Sequence, residues 1–133
     1  MPLSNQNTEI RLFRLNIEVA NLAQATSFYA ALLGSEGRPQ MGGRCYFEAG
    51  GVTLQVVETA TPQLAAKALY FATSDLDRLH AIAGSLGCLA DDRVHGESAG
   101  EALVRPWGER SFYCNDPSGN PLCFVEDGTI YSG

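Results

Sequence analysis

The 133-residue chain predicts an α+β domain made of two βαβββ modules. Three observations carry that reading: an internal duplication, two amphipathic stretches capped at corresponding places, and turn chemistry between short apolar runs. The modules fall at approximately residues 10–60 and 66–127 of a single domain spanning 1–133.

Arg11–Gly34 and Lys67–Gly87 each read as a strand, a cap and a helix. In the first copy Asn21 can cap a helix whose apolar positions Leu22, Ala25, Phe28, Tyr29, Leu32 and Leu33 recur every three or four residues, and Gly34 stops it. In the second, Ser74 or Asp75 opens a helix with Leu76, Leu79, Ile82, Ala83 and Leu86 on one stripe, closed by Gly87. Tyr46–Glu58 and Phe112–Glu126 then repeat an aromatic-rich strand, a glycine turn and a strand ending in Val-Glu, so that Gln55 matches Cys123 and Glu58 matches Glu126. Half the chain is too short to bury its own sheet face, so the halves must pack together. Asn115-Asp116-Pro117-Ser118-Gly119-Asn120 reads as a hairpin turn and no more: Asp116 can accept backbone amides, Pro117 fixes φ and Gly119 tolerates positive φ. Ala90–Arg105, polar and glycine-containing, reads as irregular or edge structure and as a mobile rim.

Composition narrows the function classes. With 45% hydrophobic and 18% charged residues the chain is neither disordered nor collagen-like. A net charge of −6 with Lys67 as the only lysine leaves no basic face for a run of phosphates, so no nucleic-acid partner is expected. No stretch is long and apolar enough to span a bilayer, and Met1–Glu9 lacks the apolar run of a signal peptide; the expectation is a cytoplasmic protein with no membrane partner. Cys45, Cys88, Cys114 and Cys123 form no CxxC pair and read as reduced thiols. Gly42-Gly43 and Gly50-Gly51 are hairpin glycines, since no GK[ST] follows them.

The duplicated module, with Asn21-Leu22, Phe28-Tyr29 and Leu33-Gly34 in the first copy and Asp116-Pro117-Ser118-Gly119-Asn120 near the end, resembles the vicinal oxygen chelate superfamily. That group includes glyoxalase I, bleomycin-resistance and extradiol-dioxygenase proteins. The resemblance covers roughly Arg11 to Glu126. It implies a curled eight-stranded mixed sheet around a cup and a homodimer. It also implies a divalent cation held at four positions, which fall here on Arg14, Gln55, Ala68 and Cys123. Arginine offers no lone pair, alanine no donor atom and glutamine only a weak neutral oxygen, so neither a metal site nor a cofactor is expected.

Strand alternation places Phe13, Leu15, Ile17 and Val19 under the helices and Arg14, Asn16 and Glu18 toward the cup, with Thr53, Gln55 and Val57 opposite. Ala68, Tyr70 and Ala72, then Pro121, Cys123 and Val125, come from the second module. Such a lining suits a small organic molecule with polar substituents. Arg14 needs either an internal acid such as Glu18 or a bound anion. Trp107 is either an aromatic wall of the cup or a rigid corner, and Phe112 is expected to face inward. The expected ligand set is therefore Arg14, Asn16, Gln55, Tyr70, Trp107, Phe112 and Cys123. Cys123 is an inert buried thiol or a nucleophile activated by Arg14; His80 reads as a partly exposed helix histidine.

Four functions compete. The leading one is metal-independent binding of a small, aromatic or polar organic ligand. The second is a lyase, isomerase or dioxygenase-like enzyme with Glu18 as general acid or base and Arg14 or Gln55 stabilising negative charge. A third uses a displaced metal held by Glu18 with Glu126 or His95, the last having Glu97 and Glu101 nearby; a fourth is an interaction module with a filled cup.

Overall fold

The computed structural model describes residues 10–133; Met1–Glu9, the segment expected to carry no signal peptide, lies outside them. The first half is β1 (Arg14–Val19), α1 (Leu22–Leu33), β2 (Arg38–Gln40), β3 (Arg44–Ala49) and β4 (Val52–Glu58). The second is β5 (Leu69–Thr73), α2 (Leu76–Leu86), the short hairpin β6 (Arg93–Val94) and β7 (Glu97–Ser98), β8 (Leu103–Val104), β9 (Arg110–Asn115) and β10 (Pro121–Glu126). The caps are those read from the sequence. Asn21 accepts the Gln24 amide at 2.9 Å and Asp75 that of Arg78 at 3.2 Å, while Gly34 and Gly87 close the helices in the left-handed conformation.

The eight major strands form the expected mixed βαβββ arrangement as two open sheets of four, ordered β1-β4-β3-β2 and β5-β10-β9-β8. In each, the strand before the helix runs parallel to the last strand and all other pairs are antiparallel. No ladder joins the sheets among the described residues; a shared apolar core and a turn hold the halves together.

That core lies between the helices and the sheets. From α1, Ala25, Phe28, Tyr29 and Leu32 meet Ile17, Val19, Cys45, Phe47, Leu54 and Val56; from α2, Leu76 and Ala83 meet Phe112, Cys114, Leu122 and Phe124. Expected alternation holds for Ile17 and Val19, with Leu15 half-buried. Phe13, expected in the core, is 56% exposed because it precedes the β1 ladder and lies beyond the reach of α1.

The Asn115–Asn120 turn does more than reverse the chain. Asp116, buried, accepts Tyr29 Oη at 2.7 Å from α1 and three amides of its own turn. Asn120 donates to the Glu18 carbonyl at 2.8 Å and accepts the Ala65 amide at 2.8 Å, and Ser118 Oγ accepts the Ala20 amide at 3.0 Å. Desolvated polar groups are paired across the two halves, which fixes how the modules meet.

The segment read as irregular or edge structure contains the β6–β7 hairpin and β8, the edge strand of the second sheet; most of it is exposed or half-buried, but Ala99 is fully buried and its carbonyl accepts the Tyr113 amide at 2.8 Å. At Gly100 a Cβ would stand 2.2 Å from the Ala90 carbonyl oxygen, so only glycine allows this approach.

Candidate functional site

The faces turned away from the helices carry the polar residues. In the first sheet the β1–β4–β3 register aligns Asn16 with Gln55 and Tyr46, and Arg14 with Thr53 and Glu48. In the second sheet the equivalent row is Tyr70, Cys123 and Tyr113. The duplication therefore places the two candidate surfaces at matching positions, but the structure treats them differently.

On the first sheet, Arg14, Gln40, Met41, Arg44, Tyr46 and Gln55 line an open recess of about 370 Å³. The Arg14 guanidinium lies 5.3 Å from the Tyr46 ring centroid and 5.0 Å from that of Phe13, so two aromatic faces hold the cation without neutralising it. Gln55, 8% exposed, donates Nε2 to Asn16 Oδ1 at 2.6 Å, leaving its carbonyl oxygen as an acceptor. Among the described residues neither Arg14 nor Arg44 makes an ion pair, whereas Arg38 pairs with Glu48 at 3.5 Å. Glu18, weighed as Arg14's internal partner and as a general base, instead accepts the Gln63 amide at 2.8 Å and ties down the segment between the modules.

On the second sheet, the corresponding face is occupied by the protein itself. Arg105, its side chain wholly buried, donates to Ser111 Oγ and to the carbonyls of Ser98, Ala99, Glu101 and Ser111 at 2.9–3.1 Å, and lies 5.4 Å from the Tyr113 ring centroid. Cys123 is fully buried; burial outweighs the nearby Arg105 charge and pushes its thiol up to about 11, which makes it a neutral, inert group and not a nucleophile. Tyr70 is 58% exposed and its hydroxyl meets that of Tyr113 at 3.1 Å; burial, then this hydrogen bond, raises the Tyr113 phenol well above its ordinary value. Trp107 is a corner residue: its indole donates to Glu109 at 2.7 Å and meets the His95 ring edge-on at 4.9 Å.

Phe112 does not face the cup. The β9–β10 register pairs it with Phe124, and both rings stack 5.5 Å apart in the helix-side core, with His80 edge-on to Phe112 at 5.1 Å. Counting outward from the hairpin turn would have shown that Phe112 shares Phe124's face and opposes that of Cys123. The same alternation in β3 turns Arg44, exposed, and Tyr46, half-buried, away from the buried Cys45 and Phe47, a signal present in the sequence.

The candidate residues thus form no single site. Arg14, Asn16 and Gln55 lie together on the first sheet; Tyr70 and Cys123 lie on the second; Trp107 stands on the loop before β9. The four positions at which the resemblance implies a cation do not fit one. Arg14 is itself cationic, Ala68 has no donor, Cys123 is held neutral and Gln55 is bonded to Asn16. No three His, Cys, Asp or Glu side chains converge among the described residues, which also leaves His95, Glu97 and Glu101 without a shared centre.

No family model matches the chain, and no curated protein matches it in sequence. Solved structures do. A glyoxalase/bleomycin resistance protein from Albidiferax ferrireducens superposes with a TM-score of 0.71 at 20% identity, covering 86% of this chain and 97% of that one. The oxidase ChaP-H2 gives 0.67 at 24% identity, covering 88% and 93%. A protein from Bacillus anthracis attributed to the glyoxalase family gives 0.67 at 21%, covering 88% and 94%. Two βαβββ halves, a shared core and these superpositions define the fold: the chain is folded as those glyoxalase/bleomycin-resistance structures are. No helix is long and apolar enough to cross a membrane.

Proposed function

We propose that the chain binds a small organic anion, without a metal, in the recess over the first sheet. The observation that carries this reading is the pair Arg14 and Arg44 in one recess with no carboxylate partner among the described residues. On a chain of net charge −6, two such cations make a local positive potential that favours an anion and orients it on approach. Tyr46 supplies a flat apolar wall, and Gln55 an acceptor for a ligand hydroxyl or amide. A volume of about 370 Å³ suits a molecule of metabolite size. Because Glu18 is engaged with Gln63, nothing in the recess favours the acid-base reading over binding.

Titration calorimetry against a panel of aromatic and aliphatic carboxylates tests the proposal. Arg14→Ala is expected to weaken the best ligand by roughly 10- to 100-fold, the equivalent of about 1.5–3 kcal/mol for a charge-assisted contact. Arg38→Ala, which removes a cation already paired with Glu48, is expected to change it little. Equal affinity in the Arg14 variant would remove the basis of this reading.

Chelation tests the metal-free part. Treatment with EDTA is expected to leave the melting temperature unchanged, because a tightly held cation stabilises the folded state by mass action and its removal would lower the transition by several degrees. We further propose a cytoplasmic homodimer that meets no membrane or nucleic acid, its partner copy covering strand edges that otherwise invite pairing. Light scattering is expected to give twice the 14.3 kDa of one chain; a monomer mass would reject the dimer.

A further inference from the structure

The recess over the first sheet holds its two cations at opposite ends, and strand register sets their spacing. Arg14 on β1 stands in the row of Thr53 on β4, and Arg44 on β3 in the row of Val57. Four residues along β4 amount to about 13 Å, and the strands flanking it are separated by about 10 Å, so the two Cα atoms lie roughly 16 Å apart across the sheet. The side chains then decide where the charges fall. The Arg14 guanidinium leans inward over the ring of Tyr46, which is two residues nearer to Arg44 along β3 than Arg14's own row. Arg44 turns outward: its Nη1 lies 3.0 Å from where a Cβ would stand on Gly42, in the turn between β2 and β3. One anionic group therefore cannot be gripped by both arginines. The carboxylates around them are engaged elsewhere, Glu48 with Arg38, Glu18 with the Gln63 amide and Glu58 with the Leu22 amide. Between the two charges the recess offers the Tyr46 ring, the amides of Gln40 and Gln55 and, at the turn, Met41, which is 89% exposed. That middle carries no charge of either sign.

Resting on the recess as an anion site, we propose that its ligand is an elongated organic dianion, with one acid group on Arg14, the other on Arg44 and an apolar or aromatic body lying along Tyr46. Each guanidinium presents a planar fork of N–H donors that matches a carboxylate or a phosphate edge. A monoanion leaves one of the two arginines unanswered. A short dianion, its acid groups only a few bonds apart, reaches one end of the recess and not the other. Joining two acid groups by a chain of the right span makes the second contact intramolecular, so affinity rises with no new kind of contact; a chain that is too short gains nothing. Met41, unbranched and polarisable at the rim, suits a body of variable outline.

Titration calorimetry with simple acids separates span from charge. Suberate and succinate serve as the long and short dicarboxylates, octanoate and butyrate as the monocarboxylates of the same carbon counts. Suberate is expected to bind about tenfold tighter, or more, than any of the others. Arg14→Ala and Arg44→Ala change exposed positions and leave the core untouched. Each is expected to bring suberate down to the affinity of octanoate. Succinate or octanoate binding as tightly as suberate would overturn the two-ended ligand and leave a single-anion site standing. So would suberate binding that Arg14→Ala weakens and Arg44→Ala does not. Absence of binding by all of these acids would remove the anion site itself, and the dianion with it.

Discussion

Asp116→Ala is expected to remove about 3–5 kcal/mol of folding free energy, seen as a lower midpoint in urea with an unchanged slope. The carboxylate is 3% exposed and accepts five hydrogen bonds. Oδ1 takes the amides of Ser118, Gly119 and Asn120 at 2.8–3.0 Å, while Oδ2 takes Tyr29 Oη at 2.7 Å and Asn120 Nδ2 at 2.9 Å. Alanine leaves the Asn120 amide, at a residue with no exposure, without its partner and cuts the tie from α1 to the second half. Such bonds are not additive, so the sum of five is not the expectation. Asp116→Asn keeps the shape but turns one oxygen into a donor facing donors, and about half the loss is expected. The same contact predicts an alkaline signature. Burial, then the Asp116 charge and hydrogen bond, raises the Tyr29 phenol far above its usual 10.0. The folded state therefore holds this proton where the unfolded chain releases it, so the stabilisation is complete below pH 10 and is lost as pH rises beyond it. Tyr29→Phe is expected to flatten that alkaline decline. A loss below about 1 kcal/mol in Asp116→Ala would show that the turn is only a turn.

Nothing in the sequence pattern carries that role for Asp116, although it does carry the turn. Positions 115–120 state their own conformation through local chemistry, whereas the partners Tyr29, Ala20 and Glu18 lie 87, 98 and 102 residues away. What was legible is what depends on neighbours along the chain. Asn21 and Asp75 cap helices because a side-chain oxygen need reach only three residues ahead. Arg14, Asn16 and Gln55 could be put on one face because alternation in β1 and β4 is strict over several residues. Phe112 went astray because β9 has apolar or aromatic residues on both faces, Phe112 and Cys114 on one and Tyr113 on the other. There the register across the hairpin decides, not the pattern. The split into two sheets is a matter of which edges meet, and no residue of β1 or β5 announces it. As for the candidate site, its cations were visible as residues, but their isolation from carboxylates is a property of the assembled sheet.

The second large effect belongs to Arg105, a residue that composition would place on the surface. Arg105→Met is expected to cost about 3–5 kcal/mol, because it strips a buried network of its only multiple donor. The guanidinium serves four carbonyls and one hydroxyl, and the nearest carboxylate, Glu97, stands 3.8 Å away, beyond hydrogen-bond distance. The charge is thus balanced mainly by peptide dipoles converging from residues 98–111, and those carbonyls need Arg105 as much as it needs them. Methionine keeps most of the stem's volume and none of the donors. Arg105→Lys keeps the charge, but three donors on one nitrogen cannot span a fork of five contacts, and roughly half the cost is expected. Denaturant unfolding gives the size of the loss, and hydrogen exchange gives its place. The Tyr113 amide, which donates to Ala99 at 2.8 Å, should exchange faster in Arg105→Met while the Phe47 and Leu54 amides of the first sheet do not. Cys123 supplies an independent readout, since Arg105 helps cover the face on which its thiol is buried. The variant is expected to make Cys123 reactive toward a thiol reagent under native conditions, and continued inertness would mean that Arg105 does not seal this face. The contrast between the halves then has one physical origin. Where the first sheet leaves Arg14 and Arg44 facing an open recess, the second answers its arginine with its own carbonyls, and a self-satisfied cation has no use for a ligand.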